Sequence, residues 1–170
     1  MRTVLQERAE VHYYKTWVLL LVPVVALSLQ AYLPLWLPSV AVVDFALLVT
    51  LYFATNRRSQ IVGLLMGAGI GLVQDALSSG PLGLFSMVKT VVGYLASSMG
   101  ARLDTDSPVT RVLLIFGFHW FHAGLFWILQ RALLQKAAEL PGLNELVAAL
   151  VNALCGVVIF QLLDGLRQRE

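Results

Sequence analysis

Six apolar runs, each about 17 to 21 residues long and nearly free of charge, follow one another along this chain: Trp17–Leu37, Ser39–Thr55, Gln60–Leu77, Leu82–Ala101, Val112–Gln130 and Leu146–Leu163. A helix of that length spans the roughly 30 Å hydrocarbon core of a bilayer at about 1.5 Å per residue. The pattern predicts an all-α integral membrane protein, a six-transmembrane-helix bundle with helices over those ranges. Six such helices take up roughly 120 positions, so residues 1–170 are expected to form a single membrane domain. Any function must reside in the helices or at their ends.

Composition points the same way: 58% of residues are hydrophobic and 13% charged, and the mean hydropathy is +0.77. A water-soluble domain is nearer about 45–50% apolar and about 25% charged. The net charge of +2 is spread over loops, which argues for a positive-inside bias across a lipid bilayer rather than for a nucleic-acid footprint. The single cysteine, Cys155, sits in an apolar stretch and offers neither a disulfide framework nor a cysteine-based metal site. Arg2, Arg8 and Lys15 ahead of the first run resemble a secretory signal, but that run is too long for one and ends in Leu-Pro-Leu-Trp-Leu-Pro. It is expected to be a retained first helix.

The runs are joined by a turn at Pro38, an Asn56-Arg57-Arg58 turn, a Ser78-Ser79-Gly80-Pro81 turn, an Asp104–Pro108 loop and a longer Arg131–Glu145 stretch containing Pro141-Gly142. Short connections make neighbouring helices antiparallel. On that map Arg2, Arg8, Lys15, Arg57, Arg58, Arg102, Arg111, Arg167 and Arg169 fall on one side, and Arg131 and Lys136 on the other. The positive-inside bias then predicts both termini inside (N-in/C-in). Trp17, Trp36 and Trp127 lie where interfacial aromatics belong.

Ionisable residues at membrane depth are expensive and face protein or water rather than lipid. Asp44, Asp75, Lys89, His119 and His122 are the candidates. Counting residues from the outer ends of their helices places Asp44 roughly 8 Å, Lys89 roughly 11 Å and Asp75 a few ångströms deep. Asp75 and Lys89 flank the Ser78–Pro81 turn on adjacent helices, which suggests an ion pair between them. Gln30, Gln74 and Asn152 share this outer level. Asp44, Asp75, Lys89, Gln30 and Asn152 are therefore candidates for an outward-facing pocket or partner groove, with hydrogen bonds that merely hold the bundle together as the alternative. His119 and His122 lie at i, i+3 on one helix face but lack a ligand-spacing motif, so a hydrogen-bonded packing role is expected and no metal is named.

The third run carries Gly63, Gly67 and Gly71 at four-residue spacing, a helix-packing ridge for another helix of this chain or of a partner. No lysine or helix start follows at the spacing of a phosphate loop. No nucleophile, acid and base assemble into a catalytic set, no catalytic residue is assigned, and no cofactor is expected.

The segment Gly71-Leu-Val-Gln-Asp75-Ala-Leu-Ser-Ser-Gly80-Pro81-Leu-Gly83 resembles the signature of the rod shape-determining protein MreD family, with Asp75, Gly80, Pro81 and Gly83 as the matching positions. Chain length, the Pro/Trp end of the first run and the basic C-terminus extend the resemblance. It implies a non-enzymatic, multi-pass component of the bacterial inner membrane in the cell-elongation complex. The implied partners are MreC, through its transmembrane helix, RodA and its transpeptidase, and MreB indirectly. MreD-like bundles also resemble the substrate-binding subunits of energy-coupling-factor vitamin transporters, in which the polar level would bind a small molecule. Those subunits carry an A-x-x-x-A ridge on the first helix, whereas here Ala26 is followed four residues later by Gln30.

Overall fold

The structure is a computed structural model that describes residues 16–57, 59–135 and 142–166. Arg2, Arg8, Lys15, Arg58, Lys136, Pro141, Arg167 and Arg169, which carry much of the orientation signal and part of the external loop, lie outside the described residues. The described chain is helical throughout its regular structure: α1 (Thr16–Trp36), a 3₁₀ turn (Pro38–Val42), α2 (Phe45–Arg57), α3 (Gln60–Leu77), α4 (Leu84–Gly100), α5 (Pro108–Leu134) and α6 (Leu143–Asp164).

The second apolar run departs most from expectation. Residues Ser39–Thr55 do not form one span; the run opens as the 3₁₀ turn, and α2 starts only at Phe45. Pro38 at the start of the turn lacks an N–H and cannot continue a helix. A distant side chain then satisfies the backbone that the break exposes. Asn152 of α6 accepts the Asp44 N–H at 2.8 Å and donates to the Val42 carbonyl at 2.8 Å. Non-helical backbone is tolerated at membrane depth only where protein or a water-filled cavity meets it.

Among the described residues, four helices, α1, α3, α5 and α6, are long and apolar enough to cross a membrane by length and composition. At 13 residues, α2 is about 20 Å long, short of the roughly 30 Å hydrocarbon core. Its place is the centre of the bundle, packed against all five other helices, and every residue from Ala46 to Asn56 is buried. The exterior carries the apolar side chains that lipid solvates, among them Leu20, Val24, Leu65, Leu113, Leu154 and Leu162.

The glycine ridge is used inside the chain. A Cβ on Gly63, Gly67 or Gly71 would meet the backbone of Gly93, Lys89 and Phe85 respectively at less than 3.0 Å, so α3 lies backbone to backbone on α4. Gly93 returns the contact from α4, against the Gly63 carbonyl. Small residues allow this approach, and dispersion across the close seam supplies the attraction. The ridge therefore leaves no open face for a partner helix.

Candidate functional site

The Asp75–Gly83 motif builds the α3 to α4 turn. Gly83 precedes α4 at φ +102°, a left-handed conformation that favours glycine. Asp75, buried near the end of α3, accepts the N–H of Phe85 at 3.0 Å through one oxygen and of Ser86 at 2.9 Å through the other. It thus caps α4 from a neighbouring helix, supplying acceptors and negative charge to the N–H groups that a helix start leaves unpaired. This corrects the expected Asp75–Lys89 ion pair. The start of α4 takes both carboxylate oxygens of Asp75, and Lys89 is engaged by Asp44.

Lys89, with no exposed surface, reaches Asp44 instead: its Nζ donates to Asp44 Oδ2 at 3.0 Å. The other Asp44 oxygen accepts the Leu47 N–H at 2.8 Å and caps α2. Lys89 Nζ also lies 3.3 Å from His122 Nε2 on α5. An ammonium can only donate, so Nε2 is the acceptor in this contact. Asn152 completes the cluster, with its amide also donating to the Ala148 carbonyl at 2.9 Å. Four elements are thereby joined at one level: the start of α2, α4, α5 and α6.

A cavity of about 750 Å³ opens above this floor, lined by Asp44, Gln30 of α1, Gln74 of α3, Phe85, His119 and His122 of α5, Phe126, Trp127 and Glu145 of α6. Of the pocket candidates, Gln30 and Asp44 face the cavity, Lys89 and Asn152 support its floor from the buried side, and Asp75 belongs to the turn. The two histidines differ in role. His122 bonds to Lys89, whereas neither ring nitrogen of His119 has a hydrogen-bond partner, although its Nε2 is 3.5 Å from Glu145 Oε2. That distance lies at the outer limit for contact and lacks hydrogen-bond geometry, so the expected hydrogen-bonded packing holds for His122 alone.

The sequence reading missed His122 as the second partner of Lys89. The depth count was available for it: eight residues from Gln130 place His122 roughly 12 Å down, at the level of Lys89. It also missed a second buried cluster at the opposite end of the bundle. There Arg111 at the start of α5 bonds to Asp164 at 2.7 Å, the Thr105 carbonyl at 2.7 Å and Asp106 at 3.4 Å, with its guanidinium 5.7 Å from the centre of the Phe160 ring. Tyr52 donates to the other Asp164 oxygen at 3.1 Å. Asp164 directly follows the Leu146–Leu163 run, and nothing in its sequence surroundings pairs it with Arg111.

Fold and site together define a helical membrane protein with a short buried central helix and a polar cavity at one end. The chain belongs to the rod shape-determining protein MreD family, whose model matches residues 12–164. No curated protein and no solved structure gives a significant match. Membership makes this a rod shape-determining membrane protein of a family not known for enzymatic activity.

Proposed function

We propose that the chain is a non-enzymatic component of the bacterial inner membrane that binds MreC and thereby tethers or regulates peptidoglycan synthesis by RodA and its transpeptidase, with MreB connected indirectly. The observation that carries this reading is the family match over residues 12–164. In this reading α2 and α4 also traverse the membrane within the shell of the longer helices, both termini are cytoplasmic, and the cavity opens outward. Because α4 fills the α3 glycine seam, the MreC helix meets the lipid-facing exterior instead. Van der Waals packing supplies most of the affinity between helices in lipid.

A second reading is favoured by the cavity of about 750 Å³, a volume typical of small-molecule sites. It makes the chain similar to the substrate-binding subunits of energy-coupling-factor transporters. Co-purification of the tagged chain from native membranes, followed by mass spectrometry, separates the two readings. Recovery of MreC with cell-wall synthases is the expected result; an ATPase pair with a transmembrane coupling subunit replaces the scaffold reading with the transporter one.

A further inference from the structure

The outer face of α6 carries a polar residue that packing within the chain does not use. Ala149, Asn152, Ala153, Gly156 and Phe160 are buried on the side turned to the bundle. On the other side Val147, Leu154, Val158 and Gln161 are exposed and Val151 is half-buried. An apolar face alone would suit lipid. Gln161 does not: it lies three residues before the end of α6 at Asp164, roughly 5 Å inside the helix end, and among the described residues its amide has no hydrogen-bond partner. Glutamine on a membrane-spanning helix is ordinarily satisfied by another helix.

Three observations select a second copy of this chain as that other helix. A carboxamide carries both donors and an acceptor, so Gln161 is complementary to an identical Gln161. Two copies inserted with the same topology can bring α6 against α6 only in parallel, about a two-fold axis normal to the membrane, which places each residue opposite its own counterpart. Val147, Val151, Leu154, Val158 and Gln161 follow at spacings of four, three, four and three, the heptad register of left-handed helix pairs in water and in lipid. In that register Val151 and Val158 take the a positions and Leu154 a d position, the arrangement that favours two parallel strands, and Gln161 is the single polar residue of the seam, the kind that fixes register.

We propose that the outer face of α6 is a self-association surface, on which two copies of the chain pair in parallel with the two Gln161 amides bonded to each other. The pairing does not rest on MreC binding, because the exteriors of α1, α3 and α5 stay open, so either can fail without the other.

The test has two parts on the full chain. Leu150→p-benzoylphenylalanine, which flanks the seam, is photolysed in native membranes from cells that express two differently tagged copies. A product that carries both tags is expected; capture of another membrane protein in its place, or of lipid alone, overturns the proposal. Energy transfer between donor- and acceptor-labelled copies in liposomes, followed as lipid is added, then measures the association without a bulky side chain at the seam. Gln161→Leu is expected to weaken it by about three- to tenfold, the range of an interhelical hydrogen bond in lipid, and Leu20→Ala on the exposed face of α1 to leave it unchanged. Association that Gln161→Leu does not weaken, or that Leu20→Ala weakens as much, overturns the proposal.

Discussion

Each end of the bundle buries one basic residue against a carboxylate from another part of the chain, and the two ends use that device differently. At the Arg111 end, three nitrogen contacts, an aromatic face and the Tyr52 hydroxyl leave the cluster closed and paired. At the Lys89 end, the ion pair is equally engaged, but it forms the floor of a cavity, and Gln30 Oε1, Gln74 Oε1 and the ring nitrogens of His119 are buried around it without a hydrogen-bond partner. A buried ion pair alone therefore marks no site here, because both ends have one. Unpaired buried polar atoms distinguish the Lys89 end from the closed one. Buried ion pairs contribute little net stability relative to apolar packing, yet removing one partner is costly because the other charge is stranded.

That asymmetry fixes the sizes of the expected effects, all measurable by thermal or denaturant unfolding of purified variants. The largest follows from Lys89→Met, which strands Asp44 and should cost about 3–5 kcal/mol. Adding Asp44→Asn should recover more than half of the loss, since the stranded charge is then gone. Arg111→Met should cost less, about 2–3 kcal/mol, because the Asp164 side chain is 26% exposed and can be hydrated. A larger loss at Arg111 than at Lys89 would reverse the comparison. Tyr52→Phe removes one satisfied hydrogen bond at the closed end and should cost about 1 kcal/mol. The smallest effect is expected from Gln74→Leu, which removes an unpaired acceptor and should leave stability within about 0.5 kcal/mol of the parent or raise it. A loss of about 1 kcal/mol or more there would show that Gln74 is already satisfied, and the two ends would then be alike.

Much of the helical layout was legible because apolar run length and turn chemistry are local signals. The Gln60–Leu77 run coincides with α3, and the Gly67 ridge reads directly as a close helix seam. What was not legible depended on distant partners. The split of the second run needs Asn152, 110 positions from Val42, to satisfy the freed backbone. The partner of Lys89 lies 45 positions away, whereas its sequence neighbour Asp75 is taken by the start of α4. Spacing along the chain ranks ion-pair partners by proximity; it does not show that a helix N-terminus competes for the same carboxylate. The polar level of Gln30, Gln74, Asp44, Asp75, Lys89 and Asn152 was legible, but whether it holds the bundle together or lines a pocket was not, because which of these side chains find partners is a property of packing.

The most direct test of the two-ended account is labelling with a membrane-impermeant thiol reagent in spheroplasts, in a Cys155→Ala background. Asn144→Cys reports on the cavity mouth, and Asp104→Cys reports on the loop beside the Arg111 cluster. The account predicts that the first is labelled in intact spheroplasts and the second only after permeabilisation. Labelling of Asp104→Cys in intact spheroplasts, with Asn144→Cys protected, would place the cavity on the cytoplasmic side and contradict it.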